Sequence, residues 1–256
     1  MFSFFKKKSA KDEIPVNAPT DLSFLGCDFH SHLIPGIDDG AATIEDSLEL
    51  IRGLRDKGYQ KLITTPHVQL EFYDNNSAKI TKHFEALKKF IADQRIGIEL
   101  EVGAEYYLDN FFLSSVLPDG LLSFGKNYVL VEVSMAGWPR NFSDMIFSIQ
   151  SLGYQPILAH PERYLYEEDI KTYLDLKQKG VLMQMNILSV AGYYGKTVKT
   201  LAEQLLEHKV YDFCCSDLHH VRHLQSIYKF INTHPGTMAR LNDYGFKNHS
   251  LLSHQL

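Results

Sequence analysis

Short runs of apolar residues alternate along the chain with longer segments that repeat apolar positions every three or four residues. The short runs lack polar alternation, which is typical of parallel strands buried on both faces. The longer segments predict amphipathic helices, because side chains three and four apart share one helix face. Seven strands are predicted in this way, over residues 24–29, 61–65, 98–103, 128–133, 156–159, 181–186 and 211–215.

The helix pattern is clearest after the first strand. Thr43, followed three residues later by Asp46, predicts a capping box, and Gly58 marks the end of that helix. Further helices are expected over 77–94, 144–152, 168–179, 197–208 and 221–232. A strand–helix alternation repeated about seven times predicts an α/β fold, either a barrel or a doubly wound sheet. We favour the barrel, since an open sheet of seven strands would need protection at its edges.

The domain organisation is expected to be simple. A flexible extension over 1–20 precedes a single barrel domain over 21–256. Phe2, Phe4 and Phe5 come before three lysines, an order opposite to that of a secretory signal, so that interpretation is rejected. A weak contact of these phenylalanines with a membrane or a partner protein stays open.

Composition and charge exclude several classes of protein. The net charge of −5 leaves no domain-wide basic surface, so nucleic acid is not an expected partner. Apolar runs of at most six residues, glycine included, are too short to span a membrane. Three cysteines are too few for a disulfide scaffold and fit a reducing cytosol, so a cytoplasmic location is expected. None is followed six residues later by arginine, as a cysteine-dependent phosphatase requires.

Side chains able to bind a metal follow six of the seven predicted strands. The first strand runs into His30 and His32, which can face one ion because alternate residues of extended backbone share a side. In α/β barrels the carboxyl ends of the strands gather at one mouth. Burying so many ionisable groups together without a metal would be very costly. The candidates at strand ends are His30, His32, His67, Glu105, Glu132, His160, Asp217 and His219.

The donor types narrow the chemistry. Imidazoles and carboxylates without thiolates suit Mn, Fe or Zn, and their number implies two or three ions. Three strand-end carboxylates and one from the Asp38–Asp39 pair carry −4, whereas three divalent ions would carry +6. The remaining charge of about +2 would attract a phosphate monoester. Arg163 adds a planar fork that matches phosphate oxygens, so phosphoester hydrolysis is predicted.

Taken together, these residues resemble the PHP (polymerase and histidinol phosphatase) superfamily. Within it they are most similar to the manganese-dependent bacterial tyrosine phosphatases of the CpsB/YwqE-like group, found beside capsule and exopolysaccharide genes. The similarity runs from about Asp28 to Arg222. The segments most specific to this group are Gly-Ile-Asp-Asp-Gly at 36–40 and His-Pro-Glu-Arg at 160–163. The others are 28–32, 65–67, 103–105, 131–132 and 216–219.

The resemblance implies a distorted seven-stranded (β/α)7 TIM-like barrel of the PHP type that holds Mn²⁺, with Fe or Zn as alternatives. Arg163 would hold the substrate phosphate, and Arg222, displaced from the family spacing, would be a second phosphate contact. Asp39 or His219 would assist proton transfer. The implied metal ligands form three sets: His30, His32, Glu105 and Asp217; Glu105, Glu132 and His160; and Asp39, His67 and His219.

The resemblance further implies dephosphorylation of phosphotyrosine in proteins. The expected partner is the C-terminal tail of a bacterial tyrosine autokinase that controls capsular or exopolysaccharide synthesis. One alternative is a PHP-type phosphatase of a small metabolite such as histidinol phosphate. An amidohydrolase-type deaminase or lactonase also begins with His-x-His, but it would be expected to carry a metal-bridging lysine on a middle strand. A non-catalytic phosphotyrosine-binding adaptor is the third alternative, and the oligomeric state stays open.

Overall fold

The computed structural model describes residues 18–252. The predicted extension up to residue 17 and the contact suggested for Phe2, Phe4 and Phe5 lie outside the described residues. Among the helices between residues 18 and 252, none has the length and apolar character needed to cross a bilayer.

In the part of the chain that the structure describes, nine strands, paired in parallel throughout, form two sheets. One sheet has the order β1-β2-β4 and the other the order β3-β5-β6-β7-β8-β9. The strands are β1 (Cys27–Asp28), β2 (Lys61–Thr64), β3 (His67–Val68), β4 (Glu99–Val102), β5 (Glu105–Tyr107), β6 (Tyr128–Glu132), β7 (Gln155–Ala159), β8 (Leu182–Asn186) and β9 (Phe213–Cys215).

Between residues 18 and 252 nine strands are observed where seven were predicted, because two of the predicted strands are each followed, after a break, by a short strand that the sequence did not indicate. Pro66 separates β2 from β3, because proline cannot donate to the ladder. Gly103 separates β4 from β5, and a Cβ there would lie only 2.6 Å from the ring of Phe124. Main-chain hydrogen bonds bridge both breaks, from Gly103 N to Thr64 O at 2.9 Å and from Glu105 N to Pro66 O at 3.0 Å. The predicted distorted α/β barrel is confirmed, and these breaks are part of its distortion.

The barrel closes between its first and last strands. Ser31 and Leu218 form a parallel bridge, and His32 N donates to Leu218 O at 2.9 Å. Below this bridge, the main-chain N–H and the hydroxyl of Ser216 both donate to the Asp28 carboxylate at 2.8 Å. This closure, which we call the seam, joins residues 188 positions apart.

Apolar side chains fill the barrel interior. Phe29 packs edge-on against Phe213, with ring centroids 5.0 Å apart, and lies 5.1 Å from Phe124. We call this set the interior layer; its members are Cys27, Phe29, Ile63, Phe124, Leu130, Ile157, Ala159, Phe213, Cys215 and Leu251. The cysteines are buried and unpaired, as expected.

The bottom of the barrel is closed by a 3₁₀ turn, Asn248–Leu251. The buried Asn248 amide group donates to Cys27 O at 2.9 Å and to Cys214 O at 2.8 Å. Its oxygen accepts from Cys214 N at 3.0 Å. The strand ends at this side therefore have their polar groups satisfied by protein atoms.

Helices cover the outside of the barrel. The predicted capping box is present, with Asp46 N donating to the Thr43 hydroxyl at 3.1 Å and Thr43 N donating to the Asp46 carboxylate at 2.9 Å. The six predicted helices occur within two residues of their expected ends, whereas α5 and α8 were not predicted. The helices are α1 (Ile44–Asp56), α2 (Ser77–Asp93), α3 (Phe142–Ser151), α4 (Ile170–Gln178), α5 (Ile187–Val190), α6 (Lys196–Glu207), α7 (Val221–Thr233) and α8 (Pro235–Asn242).

Candidate functional site

All nine side chains predicted to bind metal gather at the carboxyl ends of the strands. Seven of them line a cavity of about 410 Å³ together with Arg163, and the other two, His30 and His32, are fully buried. We call the nine residues the ligand cluster. Their donor atoms form four overlapping groups in which all atoms lie within 4.8 Å of one another: His32, Asp39, His67 and His219; His30, His32 and Asp217; His30, Glu105 and His160; and His67, Glu105 and Glu132.

The spacing of the donor atoms fits divalent ions. His30 Nε2 lies 3.2 Å from Glu105 Oε1 and 3.3 Å from Asp217 Oδ1. His32 Nε2 lies 3.5 Å from Glu105 Oε2. Ligand atoms bound at about 2.1 Å around one ion are themselves separated by roughly 3.0–3.4 Å. The cluster therefore has the spacing that shared cations require.

Several of these atoms are buried without a hydrogen-bond partner among the described residues. They include His30 Nε2, His32 Nε2, His67 Nδ1 and both carboxylate oxygens of Glu105. Leaving so many buried polar atoms unsatisfied costs free energy, since each has lost its water. Their concentration at one point is explained if cations supply the missing partner, so the residues present fit a metal centre.

The other ring nitrogens of the two central histidines are held by buried partners. His30 Nδ1 lies 2.9 Å from the amide oxygen of Gln184, and His32 Nδ1 lies 2.8 Å from Asp38 Oδ2. Because oxygen accepts in both pairs, Nδ1 carries a hydrogen and Nε2 is the nitrogen that faces the cluster. Asp38 thus orients a ligand, whereas its neighbour Asp39 points a half-exposed carboxylate at His67 and His219.

Sequence reasoning missed Gln184. The signal that could have found it is Asn186, the polar residue at which the sixth predicted strand ends. Residues two apart on a strand share a face, so Gln184 faces the same interior as Asn186. Asn186 itself is buried and donates to Asp217 Oδ2 at 2.8 Å.

The backbone bends sharply at two of the predicted ligands. His160, directly after β7, has φ 31°, and Asp217, two residues after β9, has φ 50°. Residues other than glycine rarely adopt this left-handed conformation, which costs roughly 1–3 kcal/mol at each position. Both bends redirect the chain where a strand ends, and they bring the two side chains into the cluster.

Charges within the cluster shift the protonation of its members. Burial opposes charging of His30, but Glu105 and Asp217 raise its pKa to about 10. Burial likewise opposes charging of His67, whose pKa Glu105 raises to about 10. Burial and the neighbouring Glu105 raise the pKa of Glu132 to about 8. Without cations the cluster therefore retains protons that bound cations would displace.

Arg163 is fixed at the cavity wall by two contacts. Its Nη1 donates to Asp217 Oδ2 at 3.0 Å, and its guanidinium lies 4.7 Å from the ring centroid of Tyr194. Asn186 donates to the Tyr194 hydroxyl at 3.2 Å as well as to Asp217. The side chain of Arg163 remains a quarter exposed, so donors of its planar fork can reach a ligand in the cavity.

The structure does not bring Arg222 to this cavity. Arg222 is exposed on the first turn of α7 and lines a separate cavity of about 340 Å³. His219 and His220 line both cavities, so they form the wall between them. Arg222, which is displaced from the family spacing in the sequence, therefore also lies outside the cavity that holds the ligand cluster.

Comparison with known proteins places this geometry in context. The family model described as capsular polysaccharide synthesis, CpsB/CapC, matches residues 26–234. The tyrosine-protein phosphatase YwqE of Bacillus subtilis is 30% identical over 197 residues, which cover 76% of this chain and 78% of the relative. The putative tyrosine-protein phosphatase CapC of Staphylococcus aureus is 24% identical over 76% of this chain and 77% of the relative.

Solved structures show the same similarity. A crystal structure from work on YwqE of Bacillus subtilis and CpsB of Streptococcus pneumoniae, described there as unique metal-dependent tyrosine phosphatases, superposes with a TM-score of 0.71. It is 27% identical and the match covers 87% of this chain and 94% of that one. The lactonase Lmo2620 of Listeria monocytogenes, 10% identical with a TM-score of 0.50 over 90% of this chain and 91% of that one, shows similarity of fold alone.

Proposed function

The chain belongs to the CpsB/CapC capsular polysaccharide synthesis family, and from this premise we propose that it hydrolyses phosphotyrosine in proteins with bound metal ions. The observation that carries the proposal is the ligand cluster beside Arg163, which combines cation donors with a phosphate-binding fork. The relatives named as tyrosine-protein phosphatases support this choice of reaction.

Three ligand sets would hold the ions. The first is His30, His32, Glu105 and Asp217, the second is Glu105, Glu132 and His160, and the third is Asp39, His67 and His219. The donor types suit manganese, iron or zinc, and manganese is proposed among them because of the family resemblance. When bound, such ions lower the pKa of water and stabilise negative charge on phosphoryl oxygens.

The protein's own residues bind the phosphate and handle the proton. Arg163 would donate hydrogen bonds to two phosphate oxygens, while its contacts with Asp217 and Tyr194 hold the guanidinium group in position. Asp39 is half-exposed at the outer side of the cluster and faces His219, so either can carry a proton towards solvent. A tyrosine phenolate has a pKa of about 10 and leaves readily, so a strong general acid is not essential.

The finer biological assignment follows from the family. The substrate we propose is the phosphorylated tail of a bacterial tyrosine autokinase in capsular or exopolysaccharide synthesis. Three buried, unpaired cysteines support a reducing, cytoplasmic location. Arg222 would contact the substrate outside the cavity that holds the ligand cluster, since it lines the neighbouring one.

The test is Mn²⁺-dependent release of phosphate from a phosphotyrosine peptide. Arg163→Ala should lower kcat/KM roughly 10²–10³-fold because the fork no longer stabilises the phosphoryl oxygens. Arg163→Lys should recover only part of this loss, since lysine keeps the charge and lacks the fork. Arg52→Ala, an exposed arginine on α1, is the matched control and should behave like the wild type.

Two results would contradict the proposal. One is unchanged peptide turnover by Arg163→Ala. The other is a strong preference for a small metabolite such as histidinol phosphate over every phosphotyrosine peptide, which would favour the metabolite phosphatase instead. Tight peptide binding without turnover in the presence of Mn²⁺ would favour the adaptor.

A further inference from the structure

Large apolar side chains are exposed at one end of the barrel. Eight are exposed between residues 18 and 252, and six of these lie in connections that leave the carboxyl ends of strands in the larger sheet. The other two, Phe147 and Leu152, lie on and just after α3. We call the six the apolar rim: Leu70 and Phe72 follow β3, Phe111 follows β5, Met135 follows β6, Leu165 follows β7 and Tyr193 follows β8.

The apolar rim is continuous with the cavity that holds the ligand cluster. Met135 lines the cavity directly, and Tyr73 and Tyr194, which also line it, are the immediate neighbours of Phe72 and Tyr193. Because β3, β5, β6, β7 and β8 are successive neighbours in one sheet, their connections follow one another around the mouth. The connections that carry the rim therefore lie side by side around the mouth, and Met135 is the rim side chain that lines the cavity itself.

Phe72 is held outward by a tight turn. The main-chain N–H groups of Phe72 and Tyr73 both donate to Gln69 O, at 2.9 and 2.8 Å. The Asn75 side chain anchors the same connection by donating to His67 O at 2.9 Å. With 72% of its surface exposed, Phe72 is presented to solvent beside a cavity lined by charged residues.

We propose that the apolar rim binds bulky apolar side chains that flank the phosphotyrosine in a protein substrate. The inference rests on the proposed function, because a phosphotyrosine side chain in the cavity forces its neighbours in the peptide to cross the rim. Extended residues advance about 3.3 Å each, so those next to the phosphotyrosine reach the rim first. Exposed apolar patches of this kind mark interaction surfaces.

Charge complementarity favours a phosphopeptide over other occupants. A second copy or a lipid surface pressed onto the rim would seal the cavity and leave Arg163 and Asp39 without water or a partner, which is costly. A phosphopeptide instead brings a phosphate to the charged centre and apolar side chains to its edge. The same feature separates a protein substrate from a small metabolite, which has no side chains to place there.

The experiment compares three substrates: p-nitrophenyl phosphate, a phosphotyrosine peptide flanked by leucine and phenylalanine, and the same peptide flanked by serine. The wild type should prefer the apolar peptide over the serine peptide by roughly three- to tenfold in kcat/KM. Phe72→Ser should remove this preference, and the double variant with Leu70→Ser and Phe72→Ser should remove it more completely. Both variants should leave the turnover of p-nitrophenyl phosphate unchanged. Phe147→Ser is the matched control, since Phe147 is 71% exposed but lies on α3 away from the mouth.

Equal turnover of the two peptides by the wild type would overturn the inference, and so would rim variants that slow p-nitrophenyl phosphate as much as the apolar peptide. Rim variants that keep the preference but change the oligomeric state would assign the rim to a second copy and also overturn it. Peptide turnover without any preference contradicts the rim alone. Turnover of p-nitrophenyl phosphate with Mn²⁺ but of no phosphotyrosine peptide contradicts the proposed function itself.

Discussion

The interior layer and the ligand cluster are built on the same strands, yet they differ completely in chemistry. On β6, Leu130 is fully buried in the apolar interior, and Glu132, two residues later on the same face, belongs to the cluster. On β9, Cys215 lies in the interior layer, and Asp217 follows at the same spacing. The change from apolar to ionisable thus takes two residues, roughly 7 Å of extended chain.

The two regions also differ in whether their buried atoms find contacts and hydrogen-bond partners within the protein. Phe29 contacts Phe124 and Phe213, and Asn248 closes the bottom with three hydrogen bonds. The cluster, in contrast, contains buried nitrogen and oxygen atoms without hydrogen-bond partners among the described residues. The interior layer therefore stabilises the fold by itself, whereas the cluster depends on groups from outside the chain.

The largest expected effect lies in the interior layer. Phe213→Ala should lower the free energy of unfolding by about 3–5 kcal/mol, because it leaves a cavity among packed rings. Urea denaturation measures this change. Turnover per folded molecule at low temperature should stay within a few-fold of the wild type. A large loss of turnover in fully folded Phe213→Ala protein would show that the two regions are not separable.

The reverse effect is expected in the cluster. His32→Ala should lower Mn²⁺-dependent turnover roughly 10²–10³-fold, since it removes a donor from two of the overlapping groups. Its metal-free unfolding free energy should change less than that of Phe213→Ala, and the extra stability conferred by Mn²⁺ should shrink. Thermal unfolding with Mn²⁺ and with EDTA measures both quantities. A metal-free form of His32→Ala that is as unstable as Phe213→Ala would contradict the comparison.

A residue behind the cluster should have an intermediate effect. Gln184→Leu removes the oxygen that orients His30, so Mn²⁺ affinity should fall about 10–100-fold. Titration of the metal-free protein with Mn²⁺ measures this. Gln155→Leu, at the opposite end of the neighbouring strand β7, is the control and should leave the affinity unchanged. Equal losses in both variants would attribute the effect to general destabilisation.

The last prediction needs no substitution and concerns the dependence of metal binding on pH. In the metal-free protein the pKa values of His30 and His67 are raised to about 10. At pH 7 both rings therefore carry a second proton and a positive charge. An ion can bind only after these protons leave, so affinity should rise with pH, by up to about tenfold per unit for each proton displaced. Calorimetry between pH 6 and 8 in two buffers of different protonation enthalpy counts the protons. Heats that are independent of the buffer would contradict this prediction, and Phe213→Ala should release the same number as the wild type.

The fold was largely predictable because its signals are local. Unalternating apolar runs predicted the strands, and Thr43 with Asp46 marked the start of α1 correctly. The breaks that Pro66 and Gly103 make between strands were harder to predict from the sequence. Whether such a residue separates two strands depends on what packs opposite it, as the Phe124 ring does against Gly103. The four-residue helix α5 is too short to show a period, and α8 is a short helix that begins at a proline.

The candidate site was predictable where a ligand type follows a strand directly. His160 and Asp217 could be named from their positions, but the left-handed backbone that directs them could not, because it is imposed by the packed barrel. Gln184 was missed because an amide in a buried strand has no distinctive spacing. Arg222 was expected beside Arg163, and only the path of α7 places it in the neighbouring cavity.

The seam has a consequence for how the protein is made. The bridge between Ser31 and Leu218 and the pairing of Asp28 with Ser216 require both ends of the barrel sequence to be present at once. A chain still emerging from the ribosome carries His30 and His32 long before Asp217 and His219 have been added. The emerging chain therefore cannot hold its full complement of ions before the barrel closes, and closure of the seam becomes a step that must precede complete metal loading.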